Sequence, residues 1–366
     1  MQYKNIYILI GTRPNFIKVT QFKKVAKKLH PTFAIKLIHT GQHYDEKMAD
    51  VFFKQFNLIP DYYLNIKSAS ANKQIAEIMI KLEDLIFEIG KPDILLVPGD
   101  VNSSLAGAIF ANKHEIKLGH IESGLRSFDK SMPEEHNRIL TDELSDYYFV
   151  TEPSGLKHLK NEGKASSKIH YVGNTMIDTM VAYNKEIDES NVLNDLKIGA
   201  DKFILMTMHR PATVDNKAEL EKLIQFIEEV SIKYIVVFPI HPRTIKNAKE
   251  FSLYERLISN KNLIATEPLD YFAFQKLVKN CEFILTDSGG IQEESTFRQK
   301  PCLTLRPNTE RPVTVEEGTN TLLDFDLEKI EEYIQQIEEG TYKKGKIPTL
   351  WDGRATERIL EVLSKL

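Results

Sequence analysis

Three carboxylates stand where short apolar runs give way to polar turns. Asp100 comes after Asp93-Ile-Leu-Leu-Val97, Glu122 closes Lys117–Ile121, and Glu134 lies in Pro133-Glu134-Glu135-His136-Asn137-Arg138. Carboxyls issuing from one sheet edge are equipment for acid–base chemistry, because neighbours can push their pKa values apart. Each has a plainer reading. Asp100 suits a helix cap, and Glu134 and Glu135 suit the first turn of a helix, where acidic side chains complement the dipole. Glu122, at the interior edge of a sheet, needs either a partner or a task.

A second set of residues suits an anion. Gly11-Thr12-Arg13-Pro14 comes directly after the first apolar run, with Lys18 one helical turn further on. The glycine permits a tight turn and the proline a helix start, which places Arg13 beside amides that favour negative charge. As a plain structural turn, the same residues are two solvated cations. His209-Arg210 ends another apolar run and suits a phosphate oxygen; His241-Pro242-Arg243 repeats the theme. The sharpest local signal is Thr286-Asp287-Ser288-Gly289-Gly290-Ile291-Gln292-Glu293-Glu294. Two glycines opening a helix let backbone N–H groups approach a phosphate, and Glu294, one turn in, can accept hydrogen bonds from a ribose diol. An ordinary strand–turn–helix reads the same way. Thr309-Glu310-Arg311-Pro312 and Glu317-Gly318-Thr319-Asn320 are polar loops close by in sequence. The first apolar run does not lead into the Gly-x-Gly-x-x-Gly signature of dinucleotide binding, which argues against a dehydrogenase.

The elements that must carry these residues alternate. Apolar runs of strand length at 5–10, 33–38, 93–97, 117–121 and 147–150 are separated by amphipathic segments, and the series restarts at 203–206, 234–238, 263–265 and 283–285. Ala71 to Ile89 has apolar residues at Ile75, Ile78, Met79, Leu82 and Leu85, the stripe of a helix. Two β–α series predict two doubly wound Rossmann-like sheets, an α/β fold whose domains face a cleft. The boundary falls in 175–200, giving domains 1–175 and 176–366. In such sheets ligands sit beyond the carboxyl ends of the strands. The polar residues just after strands are therefore the site candidates, and the cleft is the default site.

The bulk figures fit. At 366 residues two domains are favoured over one. A net charge of −4 gives no reason to expect a nucleic-acid partner, so an anionic ligand must be held by local groups. Cys281 and Cys302 lie in apolar runs and read as buried thiols, with no Cys/His cluster for a metal. No signal peptide or membrane-spanning stretch is read, which predicts a cytoplasmic protein.

Taken in order, Gly11-Thr-Arg-Pro14, Pro98-Gly-Asp100, Glu122-Ser-Gly-Leu-Arg126, Met132-Pro-Glu-Glu-His-Asn-Arg138, His209-Arg210, Asp287-Ser-Gly-Gly-Ile-Gln-Glu-Glu294 and Glu310-Arg-Pro312 resemble the non-hydrolysing UDP-N-acetylglucosamine 2-epimerase family. The resemblance covers nearly the whole chain. It implies a glycosyltransferase-B-type fold, with the last helix, about 355–366, crossing back to the first domain. It also implies a homodimer and chemistry on a UDP-amino sugar without NAD or metal. UDP is eliminated to leave a glycal with a C1–C2 double bond, then re-added with protonation of the opposite face. By the same resemblance Asp100, Glu122 and Glu134 handle the C2 proton and sugar hydroxyls, with Lys18 in support. Arg13, His209 and the Ser288-Gly289-Gly290 amides hold the diphosphate, Glu294 the ribose, and Phe274 lies against the uracil. Arg138, Arg210 and Arg311 complete the substrate-binding set. Gln42 and His43 correspond to a motif linked to an allosteric site, but the gap before Met48 is longer here. The form Arg126-Ser-Phe-Asp-Lys-Ser-Met-Pro133 also resembles relatives acting on a 2,3-diacetamido-glucuronate nucleotide.

Overall fold

Apolar runs become strands here, and among the described residues every strand pair is parallel. The computed structural model describes residues 4–41, 53–67, 70–199, 201–324 and 326–366; Gln42 and His43 lie outside them. The chain divides into two units, Met1–Ala182 with Thr349–Leu366, and Tyr183–Pro348.

The first unit contains β1 (Lys4–Ile10), β2 (Phe33–His39), β3 (Tyr62–Tyr63), β4 (Ile94–Pro98), β5 (Lys117–Ile121), β6 (Tyr147–Val150) and β7 (Ile169–Tyr171). They lie in the order β3-β2-β1-β4-β5-β6-β7. A parallel sheet is covered on both faces, which is why β4 is apolar and buried at all five positions. On one face Tyr7, Leu9, Leu95 and Val97 pack with Ile78, Leu82 and Ile86 of the helix Ala71–Ile89. Ile75, Met79 and Leu85 flank that row, partly buried.

The second unit contains β8 (Phe203–Thr207), β9 (Ile235–Pro239), β10 (Leu263–Thr266), β11 (Ile284–Thr286), β12 (Cys302–Leu305) and β13 (Asn320–Leu323), in the order β10-β9-β8-β11-β12-β13. The expected α/β class with two Rossmann-like sheets is what forms. In each unit the strand order reverses once, between β1 and β4 in the first and between β8 and β11 in the second. The crevice of a doubly wound sheet opens at that reversal.

The C-terminal segment is tied into the first unit. Trp351 is buried and its indole N–H donates to Thr151 O at 2.9 Å. The helix Ala355–Ser364 starts on Asp178, whose carboxylate accepts from the amides of Ala355 (3.0 Å) and Thr356 (2.6 Å). Burial pushes the Asp178 carboxyl up to about 6, against the pull of the Thr356 and Ala355 hydrogen bonds. We expect Asp178→Ala to strand two buried amides and cost about 3 kcal/mol in thermal or urea unfolding. The pH dependence has a definite sign. The folded value exceeds the unfolded one, so the stability this group contributes is greatest below about pH 4 and is lost as pH rises through about 6. Unfolding of Asp178→Asn measured across this range should lack that part of the slope.

Candidate active site

In the first unit the strand reversal brings together the turns after β1 and β4. Thr12 is the N-cap residue of the helix Arg13–Val19, with Pro14 in its first turn. Asn15 is buried and fastens the two turns: its Oδ1 accepts from Thr12 Oγ1 (3.1 Å) and its Nδ2 donates to Pro98 O (2.9 Å). Lys18 points inward from this helix, is buried, and forms an ion pair with Glu122. Gly99 makes the approach possible. Its φ is +68°, and a Cβ there would stand 2.9 Å from Lys18 Nζ. Arg13, at the helix start, is partly buried.

Glu122 comes after β5 with φ +71°, the left-handed region that side chains other than glycine rarely adopt. The turn is held because the amides of Glu122 and Ser123 both donate to Phe149 O, at 3.0 and 3.2 Å. A strained residue at a strand end, carrying a buried carboxylate on a buried lysine, is typical of sites where geometry serves function.

The helix Pro133–Leu144 faces inward with its polar side. Glu135, Asn137, Arg138, Thr141 and Asp142 are buried, whereas Ile139 and Leu140 are exposed. Arg138 ion-pairs with both Asp100 and Glu135. Asn137 Nδ2 donates to Asp100 O at 2.9 Å. Burial alone would raise the Glu135 carboxyl. The Ser127 amide and hydroxyl, the Phe128 amide and Arg138 outweigh it and hold Glu135 below the usual carboxylate range. Glu134 stands exposed in the first turn of the same helix. The structure thus joins Asp100 to Arg138 and Lys18 to Glu122. It brings in Glu135, which the sequence offered only as a dipole complement, and leaves Glu134 facing solvent.

The second unit makes a different kind of site. Asp287, buried at the end of β11, accepts from the amides of His209 (2.9 Å) and Arg210 (2.8 Å), and its other oxygen lies 3.1 Å from His209 Nδ1. Burial would raise the Asp287 carboxyl; His209 and the two amides bring it below its ordinary value. The side chain of His209 is 41% exposed, so a ligand can reach it. Arg210 is the N-cap residue of the short helix Pro211–Val214. His241 caps the helix Pro242–Glu250 and its ring lies 5.7 Å from that of His209. Burial, and then the nearness of His209 and Arg243, keep His241 below its ordinary pKa.

Ser288 is the N-cap of the helix Gly289–Arg298, so Gly289 and Gly290 present the first helical amides, which have no acceptor inside the helix. A Cβ on Gly289 would stand 3.0 Å from Arg311 Nη1 and 3.8 Å from Arg306 Nη1. Two guanidiniums therefore overlie the positive end of a helix. Arg306 is shared with Glu310 (3.1 and 3.2 Å), and Arg311 with Glu293 (2.8 Å) and Glu310 (3.5 Å). Guanidiniums fixed in this way beside the amides of a helix start form an anion cradle. Sequence reasoning passed over Arg306, whose one signal is a cation directly after a strand. Glu294 is buried on the same helix. Phe274 is partly buried against the core that includes Leu277, Val278 and Ile284. No cluster of three His, Cys, Asp or Glu suited to a metal occurs among the described residues, and no described helix is long and apolar enough to cross a membrane.

Known proteins share this outline. A family model described as UDP-N-acetylglucosamine 2-epimerase matches residues 26–364. The chain is 42% identical to the UDP-N-acetylglucosamine 2-epimerase of Methanocaldococcus jannaschii, over 98% of each chain. It is 36% identical to the UDP-2,3-diacetamido-2,3-dideoxy-D-glucuronate 2-epimerase of Pseudomonas aeruginosa, over 99% of each. The crystal structure of the M. jannaschii UDP-GlcNAc 2-epimerase in complex with UDP-GlcNAc and UDP superposes with a TM-score of 0.89 at 41% identity, covering 99% of this chain and 100% of that one.

Proposed function

The chain belongs to the UDP-N-acetylglucosamine 2-epimerase family, and on that premise we propose that it converts UDP-N-acetylglucosamine to UDP-N-acetylmannosamine by eliminating and re-adding UDP. One observation carries the residue roles: buried carboxylates and cations meet at the strand reversal of the first unit, while the second unit offers amides and guanidiniums suited to a diphosphate.

The chemistry divides accordingly. The C2 hydrogen of the sugar is not acidic, so its removal must be coupled to departure of a stabilised leaving group. In the second unit the Gly289 and Gly290 amides, Arg311 and His209 take up charge as the C1–O bond to UDP breaks. Arg13, Arg210 and Ser288 belong to the same diphosphate-holding set. Glu294 takes the ribose hydroxyls and Phe274 lies against the uracil. In the first unit a carboxylate among Asp100, Glu122 and Glu134 accepts the C2 proton, and the electron pair of that bond becomes the C1–C2 double bond. UDP then adds back at C1 and a carboxyl delivers a proton to the opposite face of C2. Lys18 and Arg138 hold the carboxylates and the sugar hydroxyls. The reaction draws on no cofactor. A homodimer acting in the cytoplasm is part of the proposal and rests on the family resemblance.

Incubation with UDP-N-acetylglucosamine in deuterated water tests the reading. Deuterium at C2 and a second diastereomer in the NMR spectrum are expected. Absence of both, with the protein folded and binding UDP, refutes it for that substrate. A second reading, epimerisation of a UDP-2,3-diacetamido-glucuronate, is favoured by the Pseudomonas relative and by the Arg126–Pro133 segment. The same assay with that nucleotide separates the two, and release of free N-acetylmannosamine would mark a hydrolysing enzyme.

A further inference from the structure

One buried cluster in the first unit has no part in the chemistry proposed above, yet is bonded to each of the three segments that carry its carboxylates. His120, on β5, is fully buried. Its Nε2 lies 2.9 Å from Gly99 O, an acceptor only, so this nitrogen donates. Its Nδ1 lies 2.6 Å from Asp142 Oδ1. The other Asp142 oxygen takes the Gly124 amide (3.1 Å) and the Arg126 guanidinium (2.7 Å). Arg126 is anchored in turn by two bonds to Glu162, at 2.9 and 2.7 Å.

The connections are specific. Through Gly99 the cluster holds the turn that carries Asp100 and admits Lys18. Through Gly124 it holds the turn that carries Glu122. Through Asp142 it holds the helix that carries Glu135 and Arg138. We propose that His120 and Asp142 are positioning residues for the epimerisation, the joint that keeps the three carboxylate-bearing segments in register. The inference rests on the epimerase reading. Its physical basis is that Gly99, at φ +68°, lacks a side chain to fix its own peptide plane. The His120 bond to its carbonyl supplies that constraint. A reacting group displaced by about 1 Å costs on the order of 100-fold in rate.

Two substitutions separate the bonds. In His120→Gln the amide nitrogen reaches the place of Nε2 and keeps the Gly99 bond. In His120→Asn it reaches only the place of Nδ1 and keeps the Asp142 bond. We expect His120→Asn to lower kcat about 50-fold with KM and the Kd for UDP within about 2-fold, and His120→Gln to recover most of that loss. His120→Ala, which loses the Gly99 bond together with the Asp142 bond, should show the same loss of kcat and the same quickened Gly99 exchange, and serves if His120→Asn does not fold. Deuterium exchange of the Gly99 amide, which is bonded to Ile121 O at 2.9 Å, should quicken in His120→Asn and stay slow in His120→Gln. Equal loss in both variants, loss that tracks melting temperature alone, or wild-type turnover in His120→Asn with unchanged exchange would overturn the proposal. A wild-type protein that fails to epimerise any nucleotide sugar would sink the epimerase reading instead, and Gly99 exchange would still decide whether the joint exists.

Discussion

Replacing Glu122 by Gln should lower the turnover number about 1,000-fold, in the range that loss of an acid–base group commonly costs. The substitution is close to isosteric. Lys18 keeps an oxygen to bond, and the left-handed turn keeps its two amide bonds to Phe149 O. What disappears is a group able to carry the C2 proton. Apart from Arg13, the groups proposed to hold the diphosphate lie in the other unit, and none of them is altered, so the Kd for UDP, measured by calorimetry, should stay within about 3-fold of wild type. Such a split between turnover and affinity separates chemistry from binding. A variant of wild-type activity would remove Glu122 from the mechanism.

Arg311→Ala should have the opposite signature. The guanidinium stands over Gly289 at the helix start and is only 8% exposed. Its loss removes charge-assisted bonds to an oxyanion worth about 3 kcal/mol together, which raises the Kd for UDP roughly 100-fold. Glu293, fully buried, would also lose its guanidinium, so the variant should unfold at lower temperature by an amount equivalent to about 3 kcal/mol. Arg311→Lys restores the charge but not the fork, because one ammonium cannot serve Glu293, Glu310 and a ligand in fixed directions. It should recover less than about a tenth of the lost affinity. Calorimetric titration with UDP and thermal unfolding of both variants check this, and an unchanged Kd in Arg311→Ala would take the residue out of the diphosphate site.

Most of the sheet architecture was legible because buried parallel strands are written as uninterrupted apolar runs. The exceptions are instructive. β13 begins inside Gly318-Thr319-Asn320, a stretch read as loop. Its polar Asn320 is buried, bonded to Thr304, Gln292 and Thr314, and therefore costs the sheet nothing. β3 has two residues and β7 three, too few for periodicity to register, and β12, four residues interrupted by Thr304, reads in the sequence only as an apolar run around Cys302. Much of the candidate site was legible where a polar group stands within two residues of a strand end, as at Asp100, Glu122, His209 and Ser288, although Arg306, directly after β12, was passed over. It was illegible where tertiary packing inverts the usual rule. On the helix Pro133–Leu144 the residues Glu135, Arg138 and Asp142 recur at helical spacing and look like a solvated face. They are the buried one, while Ile139 and Leu140 meet water. A single sequence carries no sign of that inversion, because ion pairs made with other turns decide it.

The return of Thr349–Leu366 to the first unit has a consequence for synthesis. Domains commonly fold as they emerge from the ribosome, amino-terminal first. Here the amino-terminal unit cannot be completed at that stage: Asp178 must wait for the amides of Ala355 and Thr356, and Thr151 for the indole of Trp351, until the whole of Tyr183–Pro348 has been translated. The second unit is continuous in sequence and can mature while the first is still short of its final helix, so the order of completion runs opposite to the order of translation.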